Sequence, residues 1–332
     1  MKNLTNNEYD IPEYLFSLKE ILSSGKPIDS KYLVPSLYLK TMTDFYNMGK
    51  NKDVVLFADK ALENEEFMDS RIVFEIRYLL CSALAKQRDG RFKKEVYKIS
   101  GADYYFLYGF YYRQIGQYDR ALDMINKSMK NRPNFSKAKR EKVQIYLGMQ
   151  EFQTAKELAK ENYENYQDNP YHIQAYFSCL IKSEKNSENK EILLTLISSL
   201  NSINTDVSKE MTLRCKAQFE AIYNDNLEQA LFFINQAIEM NSSKQYARIV
   251  KFDICDRFDL LDEMKEILAF FKQPEYRNRY QMNIVCFQSI IIAKEKNVNE
   301  AIDYFNNNIK YFTDEAKQKF IAKLNRYNNT AI

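Results

Sequence analysis

Residues 102–135, ADYYFLYGFYYRQIGQYDRALDMINKSMKNRPNF, are followed directly by residues 136–169, SKAKREKVQIYLGMQEFQTAKELAKENYENYQDN, and the two stretches obey one grammar at a period of 34 residues. In the first, Tyr105, Tyr108, Gly109 and Tyr112 recur at three- and four-residue spacing, which gathers them on one face of a helix. Gly116 and Tyr118 then mark a turn. Ala121, Ile125 and Ser128 set a small, large, small pattern on a second helix, and Pro133 follows where that helix has to stop. Gly109 and Ala121 have little or no side chain, so two antiparallel helices can approach closely while Tyr112 and Tyr118 fill the space beside them. The second unit keeps Tyr146, Phe152 and Ala155 at the matching places, although Val143 replaces the small residue, Ala159 stands where a large one is expected, and Pro170 comes three positions late.

These residues and this period resemble the tetratricopeptide repeat (TPR) superfamily. The resemblance implies an all-α fold, a TPR-like α-α superhelix in which antiparallel helical hairpins stack into a solenoid. Fainter copies of the pattern occur over 35–65, with Gly49 in the turn and Ala58 and Ala61 behind it; over 211–241, with Ala230 and Ala237; and over 282–312, with Ala301. Further helices are expected over 69–87, 171–185, 190–200, 244–258 and 261–271, with short polar loops at 88–91, 186–189 and 201–206. The expected organisation is a capping segment over 1–28 and a continuous repeat domain over 29–332. One hairpin cannot bury its own apolar face, so each depends on its neighbours.

Composition agrees. Seven Gly and six Pro in 332 residues supply few of the tight turns that an all-β or doubly wound fold requires. Lys and Arg total 48 against 45 Asp and Glu, a net charge of +3, so no global field points to nucleic acid or anionic lipid. No run of apolar residues approaches a membrane span and the first residues lack a signal-peptide pattern, which leads to the expectation of a cytoplasmic protein without a membrane partner. Cys81, Cys179, Cys215, Cys255 and Cys286 are odd in number and lack CxxC spacing, which suits buried reduced thiols better than disulfides or zinc.

No catalytic residue, cofactor or metal ligand is read from the chain. His172 is the sole histidine, no nucleophile elbow accompanies it, and neither GxxxxGK[ST] nor GxGxxG occurs. The residues that stand out form a surface. In the repeat register, the first helix of each hairpin lines the concave side. This places Phe106, Phe110 and Arg113, then Lys137, Arg140 and Gln144, then His172 and Tyr176 along a groove with an aromatic floor and a positive flank. Such a trough suits an extended protein or peptide segment with acidic and apolar groups. The plainer reading of KAKREK, 137–142, is a solvated basic face. The TPR clamp for carboxy-terminal peptides has Lys and Asn where this chain has Phe106 and Phe110, which argues against a chaperone-tail adaptor. Acidic residues interrupt the basic stripe, so nucleic acid is the weaker partner. A homo-oligomer stays open.

The expected function is therefore a non-enzymatic interaction module, a scaffold or sensor with its partner in the concave groove. The stretch from LYGFYYRQIGQYDRALDM to NPYHIQAYFSCLI is similar to repeat regions of large bacterial defence proteins. That likeness implies an anti-phage setting, in which the chain is the sensor part of a longer protein or a separately encoded partner. The alternative is a peptide-responsive regulator of a transcription factor or phosphatase, although 1–28 is short for the amino-terminal domain such proteins carry. An enzyme with its site inside the superhelix is the third class.

Overall fold

The computed structural model describes residues 35–329, apart from 48, 64, 241–244, 278–279 and 310–313. The expected capping segment 1–28 and the ends of the expected repeat domain, 29–34 and 330–332, lie outside the described residues. Those described form helices and turns and no strand.

The chain runs through α1 (Pro35–Asn47), α2 (Asn51–Leu62), α3 (Ser70–Gln87), the single-turn α4 (Phe92–Glu95), α5 (Gly101–Gln114), α6 (Tyr118–Asn131), α7 (Ser136–Gly148) and α8 (Phe152–Asn165). It continues as α9 (Pro170–Leu180), α10 (Ser187–Ser202), α11 (Asp206–Phe219), α12 (Leu227–Met240), α13 (Tyr246–Arg257) and α14 (Leu261–Lys272). After the short α15 (Pro274–Arg277) come α16 (Gln281–Glu295), α17 (Val298–Asn308) and α18 (Asp314–Asn325). Consecutive long helices pack as antiparallel hairpins, α5 and α6 most extensively. Along the stack, α1 touches α3, α3 touches α5, and the same holds for α7, α9, α11 and α13 in turn, whereas second helices meet one another far less. The layer with the closer helix contacts lies on the inside of a curved stack, so the first helices form the concave wall.

The close approach of α5 and α6 has the cause read from sequence. A Cβ built on Gly109 would stand 2.7 Å from two side-chain carbons of Ile125 and 3.1 Å from the Ala121 carbonyl. Ser128, the last small residue of the pattern, donates its hydroxyl to the Ala102 carbonyl at 2.7 Å and so ties the end of α6 to the start of α5. The next hairpin adds a second close approach, because a Cβ on Gly148 would lie 2.5 Å from the Tyr118 ring.

Five of the turns that follow a first helix share one hydrogen bond. The amide of Lys50 donates to the Phe45 carbonyl, Asp89 to Leu84, Gln117 to Tyr112, Glu151 to Tyr146 and Leu260 to Cys255, at 2.8 to 3.0 Å. Each is the six-to-one bond of a Schellman turn, which demands a left-handed residue just before the donor. Gly49, Arg88, Gly116, Gln150 and Asp259 hold that position, with φ between 57° and 78°.

Two expectations need correction. Residues 186–189 are not a loop: the Asn186 side chain accepts from the Asn189 amide and starts α10 there. The helix expected over 171–185 ends at Leu180, and α9 begins at Pro170 because Asn169 caps it and proline suits a first helical position. The short α4 and the 3-10 turn Val96–Lys98 that follows it were not foreseen.

The apolar core is not one ball but four overlapping clusters in chain order, which adjoin within α7, α11 and α13. Four of the five cysteines are buried in these clusters and Cys286 is half-buried, all as free thiols.

Candidate protein-binding groove

On the concave wall α3, α5 and α7 bring an aromatic stack together. Tyr78 lies parallel to Phe106 with centroids 6.4 Å apart, Phe106 is parallel to Phe110 at 6.3 Å, and Phe135 leans on Phe106 at 5.2 Å. Phe106 is only 6 % exposed, so it is the support beneath the stack, and half-buried Phe110 carries the accessible ring face. Cations stand over these rings. The Lys137 ammonium is 4.6 Å above Tyr78, the Arg113 guanidinium 5.4 Å from the Phe110 centroid and that of Arg132 4.5 Å from Phe135. Arg140 lies 4.6 Å from the centroid of exposed Tyr171. Quadrupole attraction helps hold each cation in place, and Arg132 is also bonded to the Asp103 carboxylate at 2.6 Å.

Not every cation is available in the same way. Arg113 is forked onto Glu141, whose side chain is 5 % exposed, through Nε to Oε1 and through Nη2 to Oε2 at 3.3 Å. Burial opposes the Arg113 charge, but Glu141 outweighs it and raises the guanidinium above its ordinary pKa. This pair joins α5 to α7 and belongs to the wall. Lys137 is exposed and unforked. Its stem is open to solvent but its ammonium sits over the Tyr78 ring, and that partial desolvation pulls its pKa below the usual lysine range; Glu75 and Asp103 oppose the shift, and Arg140 and Arg132 add to it.

The third group lies deeper. His172 is 1 % exposed, its ring is stacked on Tyr166 at 4.8 Å, and Nε2 is 2.8 Å from the Ser136 hydroxyl. Its Nδ1 is buried with no hydrogen-bond partner among the described residues. Burial first, then Arg140 and Lys139, push its pKa down to about 4, so the ring is neutral at physiological pH. Tyr176, 4 % exposed, is stacked on Tyr163 at 5.7 Å. His172 and Tyr176 are thus packing between α8 and α9 and not part of the surface. Gln144 is half-buried on α7.

The structure therefore unites Phe106, Phe110 and Lys137, sets Arg140 and Arg113 on either side, and withdraws His172 and Tyr176 into the core. Tyr78, Tyr171 and Glu141 were missed in the sequence. Tyr78 and Phe106 are 28 residues apart, as are Arg113 and Glu141, and that recurring offset is the signal that relates one first helix to the next.

This arrangement is a TPR-like all-α solenoid, and a solved structure agrees on that fold. The APC/C hetero-tetramer Cut9-Hcn1 is similar with a TM-score of 0.56 at 14 % identity, over 96 % of this chain and 60 % of that one. Yeast Tom70 aligns with a TM-score of 0.40 at 12 % identity, over 96 % of this chain and 82 % of that one. The sequence matches no family profile, and no curated protein matches it. No described helix is long and apolar enough to cross a membrane.

Proposed function

We propose that this chain is a non-enzymatic protein-interaction scaffold or sensor that holds an extended partner segment along the wall formed by α3, α5 and α7. The carrying observation is the Tyr78, Phe106 and Phe110 stack overlaid by Lys137 and flanked by Arg140. Rings and cations in that order favour a segment in which apolar side chains alternate with carboxylates. The Cut9-Hcn1 neighbour is itself part of a hetero-tetramer, which supports an assembly role for the fold. The anti-phage setting and the peptide-responsive regulator are narrower forms of this reading and differ in the occupant, a host or phage protein in one and a short signalling peptide in the other.

Copurification from the native host with mass spectrometry identifies the occupant. Charge reversal at Lys137 and Arg140 (K137E/R140E) is then expected to weaken its binding at least about tenfold, given that each desolvated charge contact contributes on the order of 1–2 kcal/mol. The far-ultraviolet circular dichroism should not change, because neither side chain is in the buried core. Full affinity in that variant would remove the patch from the binding surface.

A further inference from the structure

The last described helix crosses back onto the middle of the stack. Lys319 of α18 donates from Nζ to the Met149 carbonyl at 2.7 Å, a contact between residues 170 positions apart. Met149 is the C-cap of α7, so this carbonyl is one of those a helix leaves unsatisfied, at the negative end of its dipole. Lys323 follows Lys319 one helical turn further along α18, and Tyr327 comes in the 3-10 turn Arg326–Asn329 that ends it. Lys323 Nζ is 3.7 Å from the Asp256 carboxylate, and the Tyr327 hydroxyl donates to that carboxylate at 2.7 Å. Lys294 completes the group: it donates to the Asp256 carbonyl at 3.1 Å, pairs with the Asp256 carboxylate at 3.3 Å and with Asp259, and lies 5.0 Å from the Tyr327 ring centroid. Beside these lysines on α18 the apolar positions face the core, with Phe320 against Phe305 at 4.6 Å and Leu324 fully buried.

The apolar and the charged side chains have different roles. Phe320 and Leu324 fix α18 to the α16–α17 hairpin, while Lys319 reaches across to a hairpin that is not its neighbour in the stack. Burial pushes the Tyr118 hydroxyl up, Arg113 opposes the rise and Cys286 of α16 adds to it. Cys286 in turn is pushed up to about 12 by burial, against Lys323 and alongside Asp253.

We propose that α18 is a strap that ties the far end of the solenoid back to its middle, with Lys319 on the Met149 carbonyl as its latch, so that α18 lifts away from the end of α7 only when the latch is released. A latch of one lysine on one carbonyl suits a reversible closure, because the contact is charge-assisted yet partly exposed to solvent and salt. The Asp256 group keeps α18 in register while the latch opens. The inference is independent of which segment occupies the groove.

Cys286 is a native reporter of the closure, since its half-buried thiol packs against the same apolar cluster as Phe320 and Leu324 of α18 while the other four cysteines are fully buried. The experiment measures the labelling rate of each cysteine by N-ethylmaleimide, read by mass spectrometry on the full chain. In Lys319→Ala, and in the parent at 1 M against 0.1 M salt, Cys286 should label at least about tenfold faster while Cys81, Cys179, Cys215 and Cys255 keep their rates. Lys319→Arg, which retains a donor, should label as the parent does. An unchanged Cys286 rate in both Lys319→Ala and high salt overturns the proposal. So does acceleration of all five cysteines together, which would make Lys319 a general stabiliser. The salt comparison stands by itself if Lys319→Ala does not fold.

Discussion

His172 shows how much one side chain depends on its surroundings. Its ring is neutral, stacked on Tyr166 and bonded through Nε2 to Ser136, and protonation would put a charged, unaccepted N–H at Nδ1 in a buried site beside Arg140 and Lys139. The unfolded chain binds that proton near the ordinary histidine value of 6.5, whereas the folded protein binds it only near 4. Between these limits the unfolded state holds more protons, so the stabilisation is complete above about pH 6.5 and is lost as pH falls towards 4. A separation of that size corresponds to about 3 kcal/mol. Urea unfolding of the parent and of His172→Phe from pH 7.5 to 4.5 isolates the effect. The parent should lose most of that stability relative to the variant; parallel profiles would mean that the ring is not held neutral by its site.

At the scale of the elements, the Arg113–Glu141 fork is a polar joint between two neighbouring hairpins. Removing one partner strands a charge, and breaking a buried pair in this way costs about 3–5 kcal/mol, to be discounted because Arg113 retains some exposure. Replacing both with apolar residues of similar volume is close to neutral. Arg113→Met alone should therefore lower the denaturation midpoint clearly, and Arg113→Met/Glu141→Leu should recover most of the loss. A double variant as unstable as the single one would show that the fork sets the hairpin geometry and does not merely neutralise itself. The same scale explains what the sequence disclosed. Gly109, Gly116, Ala121 and Ser128 were legible because helix crossing and turn geometry leave room for nothing larger or stiffer. At Arg88, Gln150 and Asp259 the Schellman turn is held by residues with side chains, so no glycine announced those turns, and α4 just beyond Arg88 went unread. Phe110, Lys137 and Arg140 followed from the register within 102–169. Tyr78 and Tyr171 lie outside it, and the burial of His172 follows from the Ser136 contact across hairpins, which no local pattern encodes.

For the whole molecule, the four overlapping clusters mean that stability passes from hairpin to neighbour and is not shared at once by all helices. A disturbance in one hairpin should fade along the stack, and α18 is where this rule breaks, because Lys319 ties it directly to Met149. Gly109→Val supplies the disturbance: its branched side chain would collide with stiff, fully buried Ile125 and with the Ala121 carbonyl, an overpacking that costs about 1–3 kcal/mol. Hydrogen exchange followed by mass spectrometry gives the spatial record, since local opening free energies differ between segments of one protein. Amides of α5 and α6 should exchange fastest relative to the parent, those of α3, α7 and α8 less so, and those of α11 to α14 hardly at all. The amides of α18 should respond more than those of α14, although α14 lies nearer along the chain, and adding Lys319→Ala to Gly109→Val should abolish that excess. Equal acceleration in every helix would instead describe a single cooperative body, in which neither neighbour-by-neighbour packing nor the strap governs how strain travels.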